Sequence, residues 1–455
     1  MKKMNLAFAA FAATFTAFAS NVTAYRTLIG PEGWTKPDVE TGVLMERVFG
    51  DRPLSTQTPF TAVMRVTMPA KEHVRYGSLV SFGKYGSSHQ ITLTVVDVVG
   101  ATGGSNSDTK GYIAGKDDAG KDLGFPTDDA LLPKDLFRAY LTYDVALTYD
   151  GAAFKLYVDG EPVTLSDKSG KAVTATLTCA ETLDLSDVCF GQRVNTVGTT
   201  TGGHDLTGGV WRDAVVFDAA LSDLQVASIH DKGVWNFLCE TQLISEPAKE
   251  GETYVLDSPE DWQWFVAMAP ADVNVRLAAD LTLTAHRQVF KPVFSGTLDG
   301  NGHTLTLRPE ATAQADGADG AGLIAGTLEG ATVKHLKVRV EGGVLAQEGA
   351  AGAIAGVATE ATLEDVVVTL PGTLEGGAVG GVVGEASGLT LKGVRLDFSG
   401  MALGKTVGGL VGDAGALTVE GSLLTFAEGD TVDALLAGDT VGAAVGRVGE
   451  GAALA

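Results

Sequence analysis

The sequence is short of positive charge, of cysteine and of proline, and each shortage excludes something. Lys and Arg number 33 against 56 Asp and Glu, leaving a net charge of −23, which repels nucleic-acid phosphates and an anionic membrane surface. Three cysteines leave room for one disulfide and a leftover thiol. Proline is scarce at 14 residues while glycine reaches 59, so the glycines belong to neither a disordered Pro/Gly tract nor a collagen repeat. They serve backbone geometry. The seven histidines form no His-x-x-x-His or His-Glu-x-x-His arrangement, which removes the usual ligand set of a zinc hydrolase. A Gly-x-Ser-x-Gly elbow and a P-loop are also missing, and with them the usual nucleophile and phosphate cradle.

What is present builds a folded, exported chain. Hydrophobic residues make up 45% and charged residues 20% of 455 positions, enough to bury a core and long enough for two or three domains. Lys2 and Lys3, an apolar stretch from Leu6 to Ala19 and then Val22-Thr23-Ala24 follow the order of a secretory signal peptide, predicting cleavage before Tyr25. That run is too short to span a bilayer, and no later window approaches a spanning helix. All three cysteines precede Ser245, and neither Trp nor Tyr occurs after Trp264. Two architectures therefore meet near the polar, Pro-bearing stretch 246–252, expected to be a linker.

The first half reads as sheet. Phe60 to Met68 alternates apolar positions with Thr61, Val63, Arg65 and Thr67, and Gln90 to Val98 is rich in β-branched residues. In Tyr143 to Val163, Asp150-Gly151 and Asp159-Gly160 each suit a tight reversal, predicting an antiparallel meander. A helix is expected over Leu221 to His230. Within this half, VALTYDGAAFKLYVDGEPV resembles the central hairpin of laminin G-like domains of the concanavalin A-like jelly-roll superfamily. GGVWRDAVVFDAALSDLQVASIHDKG, residues 208–233, resembles their closing strand and short helix. The resemblance implies a two-sheet sandwich over residues 25–245 that binds glycans, proteins or other surface ligands, with calcium at the rim in some members.

A sandwich glycosidase presents paired carboxylates on one strand, and no Glu-x-Asp-x-x-Glu pattern occurs here. Asp117, Asp118, Asp184 and Asp187 sit in turn-like contexts and read as solvated turns. Calcium needs six to eight oxygens from converging loops; Asp205 and Asp213, flanking the glycine-rich loop 202–209, are the candidate ligands. No other cofactor is indicated. Cys179 and Cys189 are nearest in sequence and are the candidate disulfide, with Cys239 the alternative partner.

The second half carries an internal repeat. AGLIAG at 321, AGAIAG at 351, VGGVVG at 379, VGGLVG at 407 and VGAAVG at 441 start 30, 28, 28 and 34 residues apart. Five residues beyond the first four blocks comes a second strand whose second position is Thr332, Thr362, Thr390 and Thr418. A unit this short cannot bury its apolar face alone, so the units must stack. Gly322, Gly326, Gly352, Gly356, Gly380, Gly384, Gly408 and Gly412 are expected where each coil turns or touches its neighbour. That predicts a parallel β-solenoid. Leucine-rich and calcium-binding nonapeptide repeats lack their signatures. Ser258-Pro259-Glu260-Asp261 reads as a helix start carrying a cap over the first coil.

GTLDGNGHTL at 296, followed by the glycine blocks, resembles bacterial β-helices with GLUG-type repeats, which occur in secreted or surface-displayed, often adhesin-like proteins. Asp299 and Asn301 imitate half a calcium loop, but the Glu twelve places after the first ligand is missing, so a hydrogen-bonded turn is expected. Within the last coil the sequence stops at Ala455, which predicts an open end that invites self-association. The expectation is thus an all-β chain: residues 1–24 signal peptide, 25–245 antiparallel jelly-roll sandwich, 246–252 linker and 253–455 right-handed parallel β-helix. Its expected role is binding or adhesion outside the cell, with a glycan or extracellular protein as partner and neither nucleic acid nor membrane insertion. A polysaccharide-active enzyme and a structural spacer are the rival readings.

Overall fold

The computed structural model describes residues 22–29, 34–35, 45–47, 49, 54–69, 77–84, 89–95, 111–117, 119–124, 129–179, 181–194, 206–283, 290–309, 312–315, 320–426 and 435–449. The chain is mostly strand and divides into two compact units, Met1–Val234 and Trp235–Ala455. The predicted leader falls almost wholly outside the described residues; the first described strand, Tyr25–Ile29, opens where the mature chain was expected to begin.

Besides a two-stranded sheet, Leu165–Ser166 with Ala172–Val173, the described residues of the first unit hold two larger antiparallel sheets. One orders Tyr25–Ile29, Val210–Phe217, Phe60–Thr67, Thr142–Tyr149, Ala153–Val158 and Glu161–Pro162; the other orders Met45–Arg47, Asp187–Phe190, Gly77–Gly83, Gln90–Val95 and Tyr112–Lys116. A single apolar cluster draws on both: the Phe60 ring lies 4.9 Å from Phe82 of the other sheet, and Tyr149 stacks on Phe154 at 4.4 Å. The alternation of Phe60 to Met68 predicted one buried face, yet Thr61 and Val63 are buried as well. The segment after the strand Val210–Phe217 crosses that second face: Thr61 Oγ1 donates to Ala219 O at 2.8 Å and accepts from Leu221 N at 2.9 Å. Periodicity does not register a face covered by a distant piece of the same chain.

The meander is formed as expected. Asp150 Oδ1 accepts from the N–H groups of Ala152 and Ala153, and Asp159 adopts φ +51° in the next reversal. The helix spans Asp223–Lys232, two residues later than expected, because Ser222 caps it in a reciprocal box with Gln225. A second helix, Val234–Glu240, was not anticipated; seven apolar-rich residues are too few to display a 3.6-residue period.

The second unit starts earlier than the sequence suggested. The stretch expected to link the domains holds a strand, Lys249–Glu250, paired antiparallel with Thr253–Leu256. Its polar side chains are those of an edge strand, which locally look like a linker. Helix Pro259–Met268 begins at Ser258, whose Oγ accepts from Asp261 N at 3.1 Å, and buries Trp262, Phe265 and Val266 in the second core.

Thereafter the strands pair in parallel with the strand one repeat ahead. Thr297, Thr332, Thr362, Thr390 and Thr418 stand in successive register, and Leu305, Val338, Val368, Leu396 and Leu424 do so in a second sheet. A third parallel sheet runs through Thr312–Ala315, Gly343–Ala346, Thr373–Gly380 and Met401–Gly408. Each repeat so contributes one layer, and inward side chains from successive layers form a continuous core. Where a single strand was read from 331 and again from 361, the chain breaks into two, Thr332–Lys334 then Lys337–Val340, and Thr362–Glu364 then Val367–Leu370. The intervening corners use positive φ at His335 and Asp365, as the Asp299–Asn301 turn does at Asn301.

None of the eight block glycines has positive φ; of the two roles expected of them, the close approach to neighbouring backbone is the one the spacing of atoms displays. A Cβ on Gly356 would fall against Ala350 O and the backbone of Gly320 and Ala321, while one on Gly408 would lie 2.6 Å from Gly446 N in the following layer.

Candidate functional site

In the first unit, sheet register and one helix bring a compact set of charges together. Asp144 lies on strand Thr142–Tyr149 directly opposite Arg65, whose Nη1 is 3.6 Å from Asp144 Oδ1. The reversal after strand Ala153–Val158 returns Asp159 alongside: its N donates to Asp144 O at 2.8 Å, and its Oδ1 accepts from Asp144 N at 2.9 Å. His230, in the last turn of helix Asp223–Lys232, places Nδ1 2.7 Å from Asp144 Oδ2. Ligand atoms of Asp144, Asp159 and His230 all lie within 4.8 Å of one another, a donor set of metal-binding type. Both Asp144 oxygens already have protein partners, and the nearby guanidinium opposes an added cation. The arrangement tethers the helix C-terminus to the sheet. The other end of the helix is held by Tyr157 Oη, which donates to Asp223 Oδ1 at 2.7 Å; burial, followed by that bond, drives the phenol well above its ordinary pKa.

The second unit carries an open groove of about 480 Å³. Its wall is one column of the stacked strands: Val357, Glu385, Asp413 and Arg447 follow each other in register. Ser387 and Val448 also line it, beside the register shift at 386–389. Arg447 Nε donates to Asp413 Oδ2 at 3.0 Å; that bond, with the charges of Asp413 and Glu385, raises the guanidinium's pKa. Two carboxylates, a guanidinium and a hydroxyl over apolar Val357 and Val448 can exchange hydrogen bonds with a polyhydroxylated ligand and shelter its apolar face.

Several sequence expectations fall elsewhere. Asp205 lies outside the described residues. Asp213 is not in a rim loop: it is buried within strand Val210–Phe217, at a bulge where its φ is +50°. A bulge inserts a residue without any mark in composition. All three cysteines are free, so the expected Cys179 to Cys189 bridge is not made. Cys189 is buried in strand Asp187–Phe190, and Cys179 Sγ donates to Glu181 O at 3.3 Å. Asp117 and Asp184 cap turns as anticipated, accepting from Lys121 N and Ser186 N; Asp187 is instead a strand residue, and Asp118 lies outside the described set. Neither Asp144, Asp159 and His230 nor Glu385, Asp413 and Arg447 were singled out. The latter had a signal: each directly follows the closing Gly of a repeat block.

Fold and sites thus define an all-β protein of one antiparallel and one parallel unit. The chain matches no family model and no curated protein. Among solved structures it is similar to a Trypanosoma rangeli sialidase in complex with the inhibitor DANA, at 16% identity and a TM-score of 0.26, over 39% of this chain and 23% of that one. It therefore spans less than a quarter of that sialidase. It is also similar to a heptameric SAP-like pentraxin from Limulus polyphemus, at 14% identity and TM-score 0.28, over 47% of this chain and 84% of the pentraxin. The binding domain of Paraclostridial Mosquitocidal Protein 1 is matched at 12% identity and TM-score 0.28, over 46% of each chain. Likenesses of this size assign neither family nor activity.

Proposed function

We propose that this protein is exported and acts outside the cell as a glycan-binding or adhesion module. In this reading the first unit is a laminin G-like sandwich, and the second is a right-handed parallel β-helix of GLUG-type repeats. The one-repeat register of Thr332, Thr362, Thr390 and Thr418 supports the β-helix, and the charged, apolar and small-residue order of positions 2–24 supports export. The observation that carries the binding function is the groove in which Glu385, Ser387, Asp413 and Arg447 stand on stacked strands beside Val357 and Val448. Sugar hydroxyls suit such paired carboxylate and guanidinium partners. The test is a glycan array with the chain from Tyr25 onward, run beside a reducing-sugar release assay. Binding without release, weakened by Arg447→Ala, is the expected result. Release of reducing sugar makes the protein an enzyme, and silence in both assays makes it a spacer; either outcome defeats the proposal.

A further inference from the structure

The sheet that carries strand Phe60–Thr67 sets two arginines side by side on its outer face. Met64, Val66 and Trp211 enter the core, so Arg65, Thr67 and Arg212 point the other way. Arg212 stands directly opposite Arg65 in the antiparallel register, and the two share that face. On its other side Arg65 faces Asp144, with 3.6 Å between Nη1 and Oδ1. That carboxylate does not serve Arg212 as well, since its second oxygen is held by His230 Nδ1 at 2.7 Å. Among the described residues no carboxylate forms an ion pair with Arg212, and its Nε is buried without a hydrogen-bond partner.

Each of these features is unfavourable by itself. Like charges directly opposite one another destabilise a pair of strands, and a buried donor without an acceptor carries its full desolvation cost. The backbone adds a third cost at the same point: the strand bulges immediately after Arg212, and Asp213 takes φ +50°. An anion between the two guanidiniums answers the repulsion and the empty donor together. The Arg65 side chain is 35% exposed, so the pair is reached from solvent. One row along the same face, Thr67 and Thr142 stand opposite each other with their hydroxyls 2.8 Å apart.

We propose that Arg65 and Arg212 bind the carboxylate of an acidic sugar, a uronic acid, whose ring hydroxyls meet Thr67 and Thr142. Guanidinium forks match the two oxygens of a carboxylate, and the threonine hydroxyls can both donate and accept. A polyanion is a poorer ligand. The net charge of −23 repels extended negative charge, and beyond Arg65 the row continues into Asp144 and Asp159. The inference rests on the glycan reading for the class of ligand, but it uses a surface of the first unit and no part of the groove.

Calorimetric titration of the full chain at low ionic strength compares D-glucuronate with D-glucuronamide, its neutral counterpart, and with inorganic sulfate. Glucuronate should bind saturably, and glucuronamide about tenfold more weakly, the usual size of one charge-assisted contact. That comparison needs no variant. Arg212→Gln should weaken glucuronate about tenfold and leave glucuronamide unchanged, while Arg212→Lys, which keeps the charge and loses the fork, should fall between. The unfolding temperature of the Gln variant should not drop, because a like-charge contact is lost with the arginine. Equal binding of acid and amide, equal binding of glucuronate to the native and Gln chains, or no binding overturns the proposal. Sulfate bound as tightly as glucuronate gives the pair to a free oxyanion and overturns the sugar assignment. Neutral glycans that bind and are lost with Arg447→Ala, while glucuronate fails to bind, leave the groove standing and overturn this site alone.

Discussion

Replacing Gly380 and Gly330 by alanine, one at a time, separates two roles that glycine plays in the second unit. Gly330 sits at φ +63° with nothing within 4 Å of where a Cβ would stand. Alanine there meets no neighbour, and its cost is the left-handed backbone alone, about 1 kcal/mol. Gly380 has no positive φ, but its Cβ would press on Val383 O and lie 2.7 Å from Gly412 N and 2.8 Å from Leu410 O. Those atoms belong to backbone, held by ladders on either side, and cannot swing away as a flexible side chain would. Overpacking of this kind costs about 3 kcal/mol, at the upper end of the usual range. The two variants should thus differ by about 2 kcal/mol, roughly a thirtyfold difference in the unfolding constant. Urea unfolding of each full-length variant reads this difference. Amide exchange should quicken across residues 351–412 in Gly380→Ala, while 145–163 in the other unit stays unchanged, because stacked layers are stabilised by their nearest neighbours. If Gly380→Ala is neutral, or costs no more than Gly330→Ala, close layer packing is not what these glycines provide.

Three other outcomes are open to direct measurement. Lys291 is buried with its Nζ donating to Ala269 O at 2.6 Å, and desolvation pulls its pKa down to about 8, whereas an unfolded lysine titrates near about 10.4. Between those values the unfolded chain holds the extra proton, so Lys291 makes stability rise with pH from about 8 to about 10 and stay level below. Lys291→Met should remove up to about 3 kcal/mol of that rise, and pH-independent coincidence of the two urea midpoints would refute the assignment. For the thiols, iodoacetamide in denaturant without reductant should add to Cys179, Cys189 and Cys239; a single addition would reveal a bridge. In the native chain Cys179 should react first, since Cys189 is buried and burial pushes the Cys239 thiol up to about 12. Finally, the exported protein should have the intact mass of a chain starting at Tyr25, and a form retaining Met1 to Ala24 would contradict the leader reading.

What could be read from the letters was whatever a short window expresses. The Thr332, Thr362, Thr390 and Thr418 offsets, the Asp-Gly reversals and the Ser258 cap are each written within a few residues, and the structure carries each of them. The spacing of the glycine blocks likewise announced stacking, although not which backbone each glycine touches. Other features depend on pairs far apart in the chain. His230 meets Asp144 across 86 positions, and the second buried face of strand Phe60–Thr67 depends on Ala219 and Leu221. The division at Val234, ahead of the polar stretch that looked like a linker, rests on which backbone each residue lies beside in space. Lys334, Glu364, Lys392 and Glu420 stand two residues after the repeat threonines and align with them, whereas Arg276, which follows Asn274, is brought into the same register only by the folded sheet. Local backbone preference acts over a turn or a strand, whereas burial and charge pairing act through space, and only the folded chain decides which distant residues share that space.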